Sequence, residues 1–186
     1  MKSRPDAARG ASPLLVLVTG LPGTGKSTVS EAIADMLHAP VLAHDWAMSG
    51  LRQFPEVQAA LGEMEPSGHR VVGWSVLNAL ARAQLRRGCS VVLDGVARAP
   101  EIEDCRESAR LEGVPLVVVA TRCTDAADHR SRIEGRQRLI PNWYELDWDH
   151  VERSLATWLQ PDGVDLCLDT SQAWEDTILS LNALFD

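Results

Sequence analysis

The fold of this chain is decided by one stretch near its start, Leu14-Leu15-Val16-Leu17-Val18-Thr19-Gly20-Leu21-Pro22-Gly23-Thr24-Gly25-Lys26-Ser27-Thr28. The first six residues form an apolar run long enough for one buried strand, and Gly20 to Thr28 match the pattern G-x-x-x-x-G-K-[ST]. The glycines let the backbone curl so that successive N–H groups point inward at phosphates, and the helix that follows adds its positive end. The stretch therefore predicts a phosphate-binding loop.

Two side chains of this loop suit nucleotide chemistry. Lys26 supplies a mobile positive charge for the β- and γ-phosphates, Ser27 offers a hydroxyl ligand to Mg²⁺, and Thr28 continues the helix. Lysine is otherwise almost missing from the sequence, since Lys2 is the only other one. ATP and Mg²⁺ are therefore the expected ligands.

The same stretch also begins like a dinucleotide-binding fingerprint, because Gly23-x-Gly25 is followed about 20 residues later by Asp45. That fingerprint needs a third glycine, which Thr28 replaces, and it has no use for the Lys26-Ser27 pair. The sequence favours phosphoryl chemistry over a nicotinamide or flavin cofactor.

The composition is that of one ordinary domain. The chain has 186 residues, of which 45% are hydrophobic and 24% are charged, which is enough to bury a single core. The formal net charge of −8 disfavours nucleic acid or an anionic membrane as the main partner. Because no segment resembles a signal peptide or a membrane span, we expect a cytoplasmic protein. The sequence leaves its oligomeric state open.

Short apolar segments alternate with helical stretches along the rest of the chain. Strands are predicted at 14–19, 41–43, 90–94, 116–121 and 165–169, and helices at 26–38, 71–87, 100–111, 126–138, 149–159 and 173–185. The strands are rich in Val and Leu without polar alternation, which is typical of a parallel sheet buried on both faces. The sequence predicts an α/β fold with helices on both faces of the sheet, formed by residues 14–186 after a flexible N-terminus at 1–13.

Polar residues follow the predicted strands, at the edge of a parallel sheet where ligands bind. Asp45 comes after the second strand, Asp94 closes the third and Thr170 follows the fifth. Asp94 beside Ser27 would hold Mg²⁺ or its water shell, although Asp94-Gly95 is also a common turn dipeptide. Asp45 would accept the proton of an acceptor hydroxyl, or fix that hydroxyl in line with the γ-phosphate, unless it only caps a helix.

The densest basic segment of this acidic chain lies within a predicted lid at 126–141. Arg132 and Arg136 are four residues apart and are predicted to share one face of a helix. Arginines on a mobile segment neutralise the charge that develops during phosphoryl transfer, although a solvated charged face would show the same pattern.

A second segment, 46–70, is predicted to cover the acceptor because it lies between the second strand and the next long helix. Trp46, next to Asp45, is the tryptophan expected to line the acceptor pocket, and Arg52 is the candidate anchor. Arg98 is a candidate contact for the acceptor or for a phosphate, although it would equally suit a plain surface.

Together these residues resemble the phosphate-loop kinases of the AAA_33 and zeta-toxin type, which are related to gluconate kinase, chloramphenicol phosphotransferase and polynucleotide kinase. The resemblance is carried by Gly20 to Thr28, Asp45, Val91 to Asp94, Arg132-x-x-x-Arg136, Trp158 to Pro161 and Leu168 to Thr170. It implies a five-stranded parallel sheet in the order 2-3-1-4-5 and Mg²⁺-ATP as donor. It also implies Asp45 in the acceptor-binding or base role, Arg132 and Arg136 on the lid, and adenine near the loop after Thr170.

The chain departs from this family where the acceptor is expected. Relatives often have Asp-x-x-Arg after the second strand, whereas this chain has Asp45-Trp46-Ala47-Met48, so a different acceptor is expected. The sequence predicts an ATP-dependent kinase that phosphorylates a hydroxyl of a small molecule. The alternatives are a polynucleotide 5′-hydroxyl kinase and a nucleotide-binding switch or ATPase that acts through a protein partner.

Overall fold

Five parallel strands form the centre of the structure, a computed structural model in which residues 12–65 and 67–186 are described. They are β1 (Leu15–Thr19), β2 (Val41–Ala43), β3 (Val91–Asp94), β4 (Leu116–Arg122) and β5 (Leu166–Asp169). Their order in the sheet is β2-β3-β1-β4-β5, and every pairing is parallel. The predicted strands and the predicted sheet order are confirmed.

Eight helices accompany the strands within these ranges. They are α1 (Lys26–Leu37), α2 (His44–Ser49), α3 (Pro55–Glu63), α4 (Gly68–Leu85), α5 (Ala99–Glu112), α6 (Ala126–Glu134), α7 (Trp148–Thr157) and α8 (Trp174–Phe185). None of these described helices is long and apolar enough to cross a membrane. Of the N-terminus predicted to be flexible, 1–13, all but the last two residues lie outside the described ranges.

Helix α6 is shorter than predicted. It ends at Glu134 with Gly135 as its C-cap, and the chain then runs without helix or strand to residue 147. Leu139 in this segment has a positive φ angle of 54°, which a right-handed helix does not allow. The prediction that Arg132 and Arg136 share one helical face is therefore wrong.

The predicted cover, 46–70, includes the end of α2 and all of α3, two helices that the sequence patterns did not reveal. Helix α2 follows β2 directly, and α3 begins with Pro55 in its first turn, where the fixed φ angle and missing N–H of proline fit well. Leu61 is the buried residue of α3, so the helix shows too little apolar periodicity to be recognised.

Two apolar layers enclose the sheet. Leu17 of β1 packs with Trp74 of α4 in one layer, and Val16 packs with Ile33 of α1 and Leu181 of α8 in the other. Alternate side chains of a strand point to opposite faces, and all five residues of β1 are buried. Burial on both faces accounts for the unbroken apolar run in the sequence and holds the end of β1 in place.

The burial of Leu17 leads to a stability prediction. Leu17→Ala should lower the free energy of unfolding by about 2–5 kcal/mol, because it removes apolar contacts and leaves a cavity. Leu179→Ala is the control, since the Leu179 side chain on α8 is 66% exposed, and its effect should stay within about 0.5 kcal/mol. Urea denaturation followed by circular dichroism measures both values, and equal effects would contradict a core centred on β1.

Candidate functional site

The phosphate-binding loop connects the end of β1 to the start of α1. Gly20, Gly23 and Gly25 have positive φ angles of 151°, 81° and 79°, which residues with a Cβ atom rarely adopt. A Cβ atom at Gly20 would lie 2.4 Å from the carbonyl oxygen of Thr121, so the loop passes directly against β4. The Thr24 hydroxyl turns inward and lies 2.7 Å from the Thr121 hydroxyl. These contacts hold the loop in a tight turn and point the side chain of Thr24 away from any ligand.

Lys26 places its ammonium group inside this turn. Its Nζ donates to the carbonyl oxygen of Leu21 at 2.9 Å. Burial lowers the pKa of Lys26, while the carboxylates of Asp94 and Asp45 act in the opposite direction. Because this cation is partly removed from water and bonded to a neutral carbonyl, negatively charged phosphate oxygens would stabilise it strongly.

Ser27 and Asp94 meet at the edge of the sheet. The Ser27 hydroxyl donates to Asp94 Oδ2 at 2.9 Å. Asp94 ends β3 and is 6% exposed; burial raises its pKa, and the Lys26 ammonium opposes that rise. A hydroxyl and a carboxylate are the hard oxygen donors that Mg²⁺ uses, with water and phosphate oxygens as its remaining ligands. The chemistry of this pair fits the predicted magnesium site.

Asp45 lies in the first turn of α2, directly after β2. Its Oδ2 accepts a hydrogen bond from the Arg138 guanidinium, and its Oδ1 lies 3.6 Å from His44 Nδ1. Burial acts to raise the pKa of Asp45, but the His44 and Arg138 contacts outweigh it and hold the pKa below its usual value. The N-cap of α2 is Ala43, so Asp45 is not the cap and is a carboxylate at neutral pH.

Arg138 was not singled out from the sequence. Its side chain is 10% exposed, and besides Asp45 it donates to Glu145 Oε2 at 3.2 Å and to the Tyr144 carbonyl oxygen at 2.9 Å. It thereby ties the segment after α6 to the start of α2. No local pattern marks this role, because Asp45 is 93 residues away in the sequence.

Arg132 is bound to the loop that follows β5. Its guanidinium lies 2.6 Å from Asp128 Oδ2 and donates to the hydroxyl and the carbonyl oxygen of Thr170 at 2.9 and 2.7 Å. A Cβ atom at Gly25 would lie 3.1 Å from the Thr170 side chain. Arg132 and Thr170 therefore form one wall beside the phosphate-binding loop.

Helix α6 packs directly on the same loop. His129 Nε2 lies 2.7 Å from the Pro22 carbonyl oxygen, which accepts a hydrogen bond when that nitrogen carries the proton. A Cβ atom at Gly23 would lie 2.8 Å from Ile133. The four-residue spacing of His129 and Ile133 shows that they share a helical face, but it does not show what that face contacts.

Arg52 connects the cover to the segment between α6 and α7. Its guanidinium carbon lies 5.0 Å from the ring centroid of Trp143 and 4.5 Å from that of Tyr144, and these two rings stack on each other. Trp46 is 55% exposed and borders the same cavity as these aromatic rings. The space next to Asp45 thus has aromatic walls.

Two cavities meet at the phosphate-binding loop. The larger, about 990 Å³, is bordered by the candidate acceptor and metal residues Asp45, Trp46, Arg52, Asp94, Arg98 and also Arg138. The smaller, about 490 Å³, is bordered by Gly23, Gly25, Thr28, Arg132 and Thr170. Lys26, Ser27 and Arg136 border both cavities. A phosphoryl group at this junction would be accessible from either side.

The family model AAA_33, described as an AAA domain, matches residues 15–158. The chain belongs to this family. The match begins at β1 and ends just past α7, so it includes the phosphate-binding loop, Asp45, Asp94 and the lid. The family resemblance predicted from the motifs is confirmed.

An uncharacterized protein of Mycobacterium tuberculosis is 29% identical over 122 residues, which make up 63% of this chain and 24% of that protein. The chain therefore matches only about a quarter of the length of this curated relative.

Solved kinases share the fold. A gluconokinase from Sinorhizobium meliloti 1021 aligns with a TM-score of 0.66 and 21% identity, over 92% of this chain and 90% of that one. A putative kinase from Chloroflexus aurantiacus aligns with a TM-score of 0.67 and 21% identity, over 93% of this chain and 98% of that one. The APS kinase CysC of Mycobacterium tuberculosis, in complex with AMPPNP and APS, aligns with a TM-score of 0.63 and 19% identity, over 95% of this chain and 99% of that one. The chain has a kinase-like P-loop fold.

Asp169, at the end of β5, leads to a prediction of pH-dependent stability. Its carboxylate accepts hydrogen bonds from the hydroxyl groups of Thr124 and Ser171, both at 2.6 Å, and from their backbone N–H groups at 3.2 Å. Partial burial acts to raise the pKa of Asp169, but these bonds outweigh it and lower the pKa from 3.8 to about 2. The stability they contribute is present above about pH 4 and is lost as the pH falls through about 2.

We expect Asp169→Asn to lower the free energy of unfolding by about 1–2 kcal/mol at neutral pH, because a neutral amide is a weaker acceptor. The difference in the free energy of unfolding between the variant and the wild type should shrink as the pH falls from about 4 to about 2. Urea denaturation over this pH range measures it, with the exposed loop substitution Asp162→Asn as control. A difference that is independent of pH would contradict the role of the charge.

The contacts of Arg138 give a prediction about the segment 135–147. Arg138→Gln should speed amide hydrogen exchange in this segment about tenfold or more, since hydrogen bonds to charged groups are worth about 1.5–3 kcal/mol each. Arg130→Gln is the control. Arg130 forms an ion pair with Glu134 in which both side chains are more than half exposed, so its loss should change amide exchange little. Equal exchange in the two variants would show that Arg138 does not anchor the segment.

Proposed function

We propose that this protein is an ATP-dependent kinase that transfers the γ-phosphoryl group to a hydroxyl of a small molecule. The observation that carries the proposal is the junction at Lys26, Ser27 and Arg136, which joins the cavity of the phosphate-binding loop to a second cavity containing the carboxylate of Asp45. A switch that only hydrolyses ATP needs the first cavity but has no use for the second. The likeness of the fold to a gluconokinase, and to an APS kinase solved with AMPPNP and APS, supports a small acceptor.

In this proposal the smaller cavity holds ATP. The backbone N–H groups of Gly23 to Ser27 and the ammonium group of Lys26 bind the β- and γ-phosphates, and the wall of Arg132 and Thr170 lies beside them. Ser27 and Asp94 would hold Mg²⁺, which would supply positive charge against the phosphates. Arg132 is already bonded to Asp128 and Thr170, so we assign it to shaping this cavity.

Transfer then takes place at the junction. The acceptor oxygen attacks the γ-phosphorus and forms a new P–O bond, while the bond from that phosphorus to the β–γ bridging oxygen breaks and ADP leaves. The hydroxyl proton passes to Asp45 and from there to solvent. Arg136 borders both cavities and neutralises charge on the oxygens of the transferred group.

The surroundings of Asp45 favour positioning over strong base catalysis. Because His44 and Arg138 hold its pKa below the usual value, Asp45 is a weak base but remains a charged hydrogen-bond acceptor. In a loose transition state the nucleophile needs little activation, so holding the hydroxyl in line is the larger contribution.

ADP release tests the proposal. It is measured with Mg²⁺-ATP alone and then with panels of sugars, sugar acids, antibiotics and 5′-hydroxyl oligonucleotides. A small-molecule acceptor should stimulate release, and Asp45→Asn should lower kcat about 100-fold or more while the KM for ATP changes less than about twofold, because Asp45 lies outside the nucleotide cavity.

Two further variants complete the test. Lys26→Met should abolish ATP binding and turnover together, and the exposed substitution Asp162→Asn should change neither. ATP hydrolysis that no acceptor stimulates and that Asp45→Asn leaves intact would contradict the kinase and favour a switch. Stimulation by oligonucleotides alone would favour a polynucleotide kinase.

A further inference from the structure

Three arginines around the larger cavity form no ion pair within the described part of the chain. Arg52, Arg98 and Arg136 border it, and none of them forms an ion pair with any residue in the ranges 12–65 and 67–186. Most described arginines outside the cavity pair with acidic neighbours, as Arg82 and Arg110 do with glutamates. In a chain with 26 acidic and 18 basic residues, three unpaired guanidinium groups in one cavity are not expected from composition.

Among the described residues, the carboxylates of this cavity form no ion pair with these three arginines. They belong to Glu31, Asp45 and Asp94. Asp45 is paired with Arg138, and Asp94 accepts from Ser27 and interacts with Lys26. The cavity therefore keeps a net positive charge inside an acidic protein, which attracts an anion.

Arg52 is held in a way that leaves its hydrogen-bond donors free. Trp143 and Tyr144 contact the face of its guanidinium group, whereas the N–H donors lie in the plane of that group. No side-chain N–H of Arg52 donates to an acceptor within the described part of the chain. A stacked guanidinium with a free edge is well suited to bind an oxyanion with two parallel hydrogen bonds.

The three arginines divide between the two cavities. Arg136 borders both and is placed for the transferred phosphoryl group. Arg52, between α2 and α3, and Arg98, the N-cap of α5, border the larger cavity only. Their charge is thus directed at something other than the nucleotide.

We propose that Arg52 and Arg98 form a subsite for an anionic group of the acceptor, which is then a hydroxylated small molecule bearing a carboxylate, sulfate or phosphate. This assignment rests on the proposed kinase function and names the class of its substrate. The Trp143 ring covers one face of the Arg52 guanidinium and so shields that face from water, which strengthens its interaction with an anion.

Sulfate binding tests the subsite without any turnover. Sodium sulfate is titrated at constant ionic strength into the full chain saturated with Mg²⁺ and a non-hydrolysable ATP analogue, which fills the smaller cavity. Binding is followed by isothermal calorimetry and by tryptophan fluorescence, since Trp46, Trp74 and Trp143 border the larger cavity. The wild type should bind sulfate saturably; the absence of saturable binding overturns the proposal.

Variants assign the binding to the two arginines. Arg98→Gln and Arg52→Gln should each raise the Kd for sulfate about tenfold or more, because each removes a charged donor. Arg87→Gln is the matched control, since Arg87 is exposed and lies outside the cavity, and its Kd should stay within about twofold. Arg52→Lys keeps the positive charge but removes the planar guanidinium group, so it tests whether sulfate binding needs that group or only the charge. Circular dichroism checks that each variant is folded. Wild-type affinity in both glutamine variants overturns the proposal.

Turnover with matched acceptors separates this proposal from the kinase function. Gluconate is compared with sorbitol, glycerate with glycerol, and glucose 6-phosphate with glucose, by ADP release. An anionic acceptor should show a kcat/KM at least about tenfold above its neutral counterpart, and Arg98→Gln should remove this advantage. Equal use of neutral acceptors supports the kinase and overturns the subsite, whereas arginine-dependent sulfate binding without acceptor-dependent turnover supports the subsite and counts against the kinase.

Discussion

The pairing of β1 with β3 on one side and β4 on the other is the constraint on which the site depends. In this register Val18 lies beside Asp94, which brings the end of β3 to the start of α1. On the other side the chain turns at Gly20 against the carbonyl oxygen of Thr121, where no Cβ atom would fit. The position of the phosphate-binding loop is therefore set by the main-chain pairing of β1, a fully buried strand, before any ligand binds.

The lid is joined to both sides of the site by polar contacts. His129 of α6 contacts the Pro22 carbonyl oxygen in the phosphate-binding loop, and Arg138 contacts Asp45 in the first turn of α2. Between them lies Arg136, which borders both cavities. The lid therefore contacts both the phosphate-binding loop and Asp45, which borders the larger cavity. A change in the position of the lid would affect both cavities together. The Arg138 contact also keeps Asp45 charged, because an arginine beside a carboxylate lowers its pKa.

Local patterns predicted much of the site. The glycine spacing of Gly20 to Gly25 predicted the turn, and the topological rule for parallel sheets placed Asp45 and Asp94 at the edge where Lys26 lies. Those inferences need only the strand order and the residue that follows each strand. The end of α6 and the helices of the cover were not predicted. The chain leaves the helix at Gly135 and Leu139 adopts a positive φ angle, which periodicity does not report, and α3 buries little apolar surface.

The sequence by itself determined the five strands, the loop at Gly20 to Thr28 and the side of the sheet on which ligands bind, since these follow from local composition and from the geometry of parallel strands. Only the tertiary structure decided which charges are paired. Arg138 meets Asp45 across 93 residues of sequence, Arg132 is bonded to Thr170, and Arg52 and Arg98 remain without a carboxylate among the described residues. A contact such as Arg138 with Asp45 depends on a few ångströms between elements that are far apart in the sequence. Residue type and spacing do not contain that information.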